Sequence, residues 1–396
     1  MKYSKILSAI ILVMFIALAG CEKQDVSPIS GPVSDNGIQS LSKHGGDFQA
    51  DFHGRRNFHA VYTLSNSSGG NSVIMYERSA NGTLTYTGSF STGGTGTGAG
   101  LGSQGALAQA GNLLFAVNAG SNDVSVMEIG KNGLTLVDKK ASGGTEPISL
   151  TVYGRLLYVL NAGGTGNITG FKIDRNGTIS QISGSTKPLS SGAAQPAQIE
   201  FNPEGRVLVV TEKATNMIDT YVVGFNGVAV GPHTQASAGD TPYGFEFDKR
   251  GRLIVSDAYG GNALGGAMSS YRVNIGGISL ISGPVYNSQT APCWVAITKN
   301  GRFAYTTNTG TSNISGYRIS FDGRLILFND GGNTASTGAG SHPIDLAVSN
   351  DSHYLYALSA GTNTISIFRI NNGRGGLTPV GTVTGLSAGA GGLVAN

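Results

Sequence analysis

Two cysteines in 396 residues are too few for a disulfide framework. Charged residues make up only 12% of the chain, with 26 Lys and Arg against 23 Asp and Glu, a balance that argues against nucleic-acid binding, and no such partner is expected. The Pro, Glu and Lys enrichment of most disordered chains is missing. Beyond the first twenty positions, no stretch of Ala, Leu, Glu and Lys repeats its apolar residues every 3.6 positions, which leaves little room for helix. Zinc-ligand spacings and a Ser-His-Asp arrangement are also lacking. Gly-Gly-Thr-Gly-Thr-Gly-Ala-Gly at 93–100 follows no strand-to-helix context and reads as a loop between structural units, not as a phosphate cradle.

What the chain has is glycine, 62 residues of it, set between apolar runs such as Leu-Leu-Phe-Ala-Val, Leu-Leu-Tyr-Val-Leu and Val-Leu-Val-Val-Thr. Glycines in that arrangement are turns between short strands, so an all-β fold is expected. The amino terminus differs. Lys2 and Lys5 precede an apolar run from Ile6 to Leu18, which ends in Leu18-Ala19-Gly20-Cys21. A run of about thirteen residues is short for a bilayer about 30 Å thick, so residues 1–20 read as a signal peptide. The Leu-Ala-Gly-Cys ending resembles the bacterial lipobox, which implies lipidation of Cys21 and anchoring in the bacterial cell envelope, on the periplasmic side or at the outer surface. Removing residues 1–20 takes away two lysines and no acid, leaving 24 basic residues against 23 acidic ones. Residues 21–57 are polar and glycine-rich and are expected to form a flexible tether. Cys293 then has no partner in the mature chain and is expected to be a small buried residue.

From residue 58 to 396 one unit recurs. Residues 147–184 show it whole: a proline opens an apolar strand, a Gly-Arg turn follows, the second strand ends in Asn-Ala-Gly, and the third leads through an Asn-Gly turn to the fourth. Pro147, Pro196, Pro242, Pro292 and Pro343 lie 49, 46, 50 and 51 residues apart, a period that suits propeller blades. Second-strand segments at Tyr62, Phe115, Tyr158, Val209, Ile254, Tyr305 and Tyr356 give seven units. The expected fold is a seven-bladed β-propeller of four-stranded antiparallel blades. The first unit lacks its first strand and Gly391–Asn396 is an apolar remainder, so the carboxyl end is expected to complete blade 1 and close the ring, removing open edges.

The units Ala-Val-Tyr-Thr-Leu-Ser-Asn, Leu-Phe-Ala-Val-Asn-Ala-Gly, Leu-Tyr-Val-Leu-Asn-Ala-Gly and Leu-Tyr-Ala-Leu-Ser-Ala-Gly, each followed by a strand such as Ile-Ser-Gly-Tyr-Arg-Ile, resemble the lactonase-family propeller. That family includes 6-phosphogluconolactonase and the 3-carboxymuconate cyclases, and the repeats are also similar to the YVTN propellers of surface-layer proteins. The resemblance implies a glutamate in an acid-base or substrate-orienting role just after the second strand of one blade, and Glu212 in Val-Val-Thr-Glu-Lys matches it. The family's histidine loop reads Thr145-Glu146-Pro147-Ile148 here, its arginine position reads Gln195-Pro196-Ala197-Gln198, and its Asn-Arg-Gly motif reads Asn308-Thr309-Gly310. The cationic partners that stabilise a developing oxyanion are therefore missing from their family positions.

Loops before the first strands and after the second strands share one face of a propeller, where the central channel opens. Most residues there read as turn formers, Asn118, Asn161 and Asn308 among them. Glu212 departs from the neutral pattern and is the candidate general base, with Lys213 or His342 as its electrostatic partner. Glu146 and Asp257 are candidate ligand contacts, and Tyr243 and Trp294 candidate stacking surfaces for a sugar ring. The sequence shows no metal motif. Oxygen ligands from Glu146, Glu212, Asp240 and Asp257 leave calcium as the one cofactor to consider. Gly154-Arg155, Gly205-Arg206, Gly251-Arg252 and Gly301-Arg302 fall in hairpins on the opposite face and read as solvated turns. Two functions follow: hydrolysis of a small lactone or sugar-acid lactone, or binding of a glycan, peptide or envelope component without turnover. A 6-phosphogluconate substrate is disfavoured because it is cytoplasmic and the chain is exported. A monomer is expected in either case.

Overall fold

The computed structural model describes residues 59–396; the signal, lipidation and tether expectations, Cys21 included, lie outside the described residues. Seven antiparallel sheets follow one another around a ring. The innermost strands are Leu107–Ala110, Pro147–Tyr153, Pro196–Phe201, Pro242–Phe247, Pro292–Ile297 and Pro343–Val348 for blades 2 to 7, and Gly391–Ala395 for blade 1. This last strand pairs antiparallel with Ala60–Leu64, setting Val61 opposite Ala395 and Tyr62 opposite Val394, so the ring closes as expected. In blades 3 and 6 the outermost strand is broken in two, Ile179–Gln181 with Lys187–Pro188 and Leu325–Leu327 with Ala335–Ser336. The one helical element among the described residues is a 3-10 turn at Tyr259–Gly261.

Every second strand is buried along all or nearly all of its length because it is flanked within its sheet and covered by both neighbouring blades. This explains the unbroken apolar runs, since alternation disappears where both faces are dry. Tyrosines at one repeated position rivet adjacent blades. Tyr158 Oη donates to Gly227 O at 2.7 Å, Tyr305 Oη to Gly375 O at 2.7 Å and Tyr356 Oη to Gly82 O at 3.1 Å, each acceptor lying in the third-to-fourth hairpin of the next blade. All three rings are fully buried, so the hydroxyl needs that partner.

The opening prolines follow residues held in a left-handed conformation. Glu146, Gln195, Thr241, Ala291 and His342 have φ between 46° and 55°. A non-glycine residue there costs about 1–3 kcal/mol unless its surroundings fix it. Here they do. Each carbonyl accepts a backbone N–H from the loop after the second strand, as in Ala162 to Glu146, Lys213 to Gln195 and Ala360 to His342. The Glu146 and Thr241 amides donate to the side chains of Asn122 and Asn216 from the preceding blade.

Candidate functional site

The face that carries these loops is the expected channel mouth. Glu212 ends the second strand of blade 4 and is fully buried. Its Oε1 accepts from Ser190 N at 2.9 Å, and its Oε2 accepts from the Ser190 hydroxyl and from Thr215 Oγ1, the latter at 2.6 Å. Beside it stands Asp219, whose Oδ2 accepts from Ser190 N at 3.0 Å and whose Oδ1 accepts from Thr234 Oγ1 at 2.7 Å. Burial and the neighbouring Glu212 push the Asp219 carboxyl up to about 8, because two carboxylates in one dry site resist ionising together.

The corresponding residues of other blades do the same work. Asn118 bonds Asp123 at 2.6 Å, Ser125 at 2.8 Å and Thr92 at 2.7 Å; Asn308 bonds Asn313 at 2.7 Å, Ser315 at 2.8 Å and Asn287 at 3.0 Å. Asp257 accepts from Ser269 Oγ at 2.5 Å and Ser237 Oγ at 3.5 Å, and burial raises its carboxyl to about 7. In each case the end of the second strand is clamped to the third strand, to the connection entering the blade, or to both. Glu212 and Asp257 are acidic versions of this clamp, and serine and threonine hydroxyls supply the donors their carboxylates need. The sequence reading missed Ser190, which lies in the connection before the blade and which no periodicity links to the strand end, and it missed Thr215 and Asp219, which lie in the next loop and on the third strand of the same blade and carry no mark of their own in the repeat.

Lys213 emerges from the same loop, but its ammonium donates to Gly102 O at 2.8 Å and sits 4.8 Å from the centre of the Tyr243 ring. His342 lies in blade 7, where its Nδ1 is 3.0 Å from Thr309 O. Glu146 is exposed, in blade 3. Glu212, Lys213 and His342 therefore have separate partners on separate elements. Among the described residues no three His, Cys, Asp or Glu side chains gather as a metal cage would require, and Glu146, Glu212, Asp240 and Asp257 do not do so. Cys293 is buried, as expected.

The channel mouth is crossed by the chain itself. Connections between consecutive blades take five to seven residues, such as 142–146, 189–195 and 237–241, but the one from blade 1 to blade 2 runs from 92 to 106. Its last part bonds to innermost strands on different sides of the ring. Ser103 Oγ donates to Ile148 O at 2.8 Å in blade 3, Gln104 N to Ala197 O at 3.1 Å in blade 4, and Trp294 Nε1 in blade 6 to Ser103 O at 2.8 Å. The Gln104 side chain bonds both Val295 N, at 2.9 Å, and Val295 O, at 2.7 Å.

That last pair fills a gap in a repeated device. In blade 4 the Gln198 side chain satisfies Phe245 N and O of the next inner strand, at 2.7 and 2.9 Å. The matching residue of blade 5 is Gly244, which has no side chain to offer Val295, and a Cβ there would lie 2.3 Å from Gln104 Oε1. Tyr243 and Trp294, the expected stacking surfaces, are 0% and 2% exposed, pack 5.0 Å apart and lie against this segment. Neither ring is open to a ligand while residues 102–104 are in place. The length of the connection was the available signal, since a structureless connection well beyond the usual four to six residues commonly has a role of its own.

Residues 269–391 match the family model described as Lactonase, 7-bladed beta-propeller. That match covers part of blade 5, blades 6 and 7 and the start of the closing strand, and the whole described chain has the seven-bladed architecture that the model's description names. Similar solved structures include a putative 6-phosphogluconolactonase from Bacteroides fragilis, with 17% identity, a TM-score of 0.65 and coverage of 85% of this chain and 98% of that one. A putative 6-phosphogluconolactonase from Bacteroides uniformis gives 18% identity, a TM-score of 0.65 and coverage of 85% and 99%. The periplasmic gluconolactonase of Pseudomonas aeruginosa gives 15% identity, a TM-score of 0.62 and coverage of 84% and 98%. At these identities the likeness is one of fold. No curated protein matches the chain significantly in sequence.

Proposed function

We propose that this propeller is an exported protein, lipid-anchored through Cys21, that uses the fold to recognise an envelope or extracellular ligand without opening a lactone ring. The observation that carries this reading is the state of Glu212, which is fully buried with both oxygens held by Ser190 and Thr215. A general base must reach the proton it removes, and lactone chemistry also needs a donor aimed at the developing oxyanion. Lys213 and Trp294, two donors at the mouth, are engaged by Gly102 and Ser103 of the crossing segment.

The test is hydrolysis of sugar and aliphatic lactones by the full chain in detergent, with and without calcium, beside Glu212→Gln. No turnover above the uncatalysed rate is expected from either protein. Turnover that disappears in a folded Glu212→Gln variant would instead establish a lactonase, the reading favoured by the family match over residues 269–391. Anchoring is checked separately: Cys21→Ala is expected to move the protein from the membrane fraction to the soluble fraction and to abolish labelling with a fatty-acid analogue.

A further inference from the structure

The opposite face carries a groove of about 780 Å³ between blades 4 and 5, bounded by the third-to-fourth hairpin of blade 6. Four arginines line it, from three different chain segments: Arg206, Arg250, Arg252 and Arg272. Two of them are structural. Arg252 is paired with Asp248, its Nε donating at 2.7 Å, and its Nη1 donates to Phe321 O at 2.9 Å. Arg250 Nη1 donates to the same carbonyl at 2.6 Å and stacks 4.0 Å from the centre of the Phe321 ring. Together they pin the Phe321 hairpin as one wall of the groove.

Arg206 and Arg272 are different. Among the described residues neither guanidinium has an ion-pair or hydrogen-bond partner. The acids at the rim are committed elsewhere, Glu204 accepting from Asn202 Nδ2 at 2.7 Å and Asp322 pairing with Arg324 at 3.1 Å. Phe321 is 84% exposed and Ile275 37% exposed, so apolar surface faces the groove beside the unpaired cations. The volume lies within the roughly 300–1,000 Å³ of small-molecule sites. A planar guanidinium with several free donors is suited to bidentate capture of a carboxylate or phosphate.

We infer that this groove binds an oxyanion, a carboxylate or a phosphate, carried on a ring, with Arg206 and Arg272 holding the anion and the ring lying against Phe321. The site is on the face away from the channel mouth and holds whether that mouth binds or hydrolyses. Calorimetric titration of the full chain in detergent with phenyl phosphate and phenyl glucuronide, beside neutral phenyl glucoside and inorganic phosphate, tests it. At least one of the two ring-borne anions is expected to bind about tenfold more tightly than phenyl glucoside, and the stronger of the two identifies the oxyanion source. Arg206→Gln and Arg272→Gln are each expected to weaken that binding about tenfold, whereas Arg369→Gln, an exposed arginine of blade 7, leaves it unchanged. Phe321→Ser is expected to weaken the ring-borne anions and to leave inorganic phosphate as it was. Absence of binding by both ring-borne anions, or binding indifferent to Arg206→Gln and Arg272→Gln, overturns the assignment.

Discussion

The two faces of this propeller are made from the same repeat and end in opposite conditions. On the channel-mouth face most of the polar and aromatic side chains that suggested a site are turned inward and matched, the exposed Glu146 being an exception. Glu212 and Asp257 clamp strands, Trp294 and Lys213 hold the 102–104 segment, and the pre-proline residues are fixed through their backbones. On the other face the Gly-Arg hairpins, which looked like plain solvated turns, bring cations together without matching them all. The lesson is that an unusual residue type in a repeat is weaker evidence of function than an unmatched one. Glu212 stands out in the sequence yet is fully satisfied, while Arg206 belongs to the commonest turn of the repeat and is not.

The comparison breaks most sharply at Gly244. A Cβ there would lie 2.3 Å from Gln104 Oε1 and 2.5 Å from Cys293 O, a backbone atom that cannot swing aside. Gly244→Ala is expected to destabilise the fold by about 3 kcal/mol in chemical denaturation, through overpacking and the loss of the Gln104 pair. Unchanged stability would mean that the crossing segment is not seated in the channel. Gln104→Ala is the milder form, expected to cost about 1–3 kcal/mol because Val295 N–H and C=O are left unmatched. Trp294 is the sole tryptophan, so its emission reports the segment directly and is expected to shift to the red in both variants.

Next in size is the pH dependence of stability set by the clamps. Asp219 is raised to about 8 and Asp257 to about 7, both by burial first, so the folded state keeps protons that the unfolded chain gives up near the ordinary value of 3.8. This contribution is fully present below about pH 4 and is lost as pH rises through 7 to 8. The melting temperature is therefore expected to fall by a few degrees between slightly acid and slightly alkaline buffer, and Asp219→Asn to flatten the slope. A profile equally steep in Asp219→Asn would remove that residue from the account. Smallest of all, Arg206→Gln is expected to change stability by less than about 0.5 kcal/mol, since its side chain touches no partner that folding must satisfy. A larger loss would show that the groove is structural after all.

The sequence by itself determined the architecture. Pro147, Pro196, Pro242, Pro292 and Pro343 set the period, the buried second strands appear as unbroken apolar runs, and the missing first strand of blade 1 matches the apolar carboxyl end. These are properties of a local unit copied along the chain, so they survive in one dimension. Only the tertiary structure decided the sites. Ser190, which holds both oxygens of Glu212, comes from the connection before that blade, the partner of the Gln104 side chain from blade 6, and the arginines of the groove from the hairpins and strands of separate blades. Whether a charge is matched depends on distances across the ring, and a repeat fixes its own residues' spacing while leaving those distances to the closure of the whole.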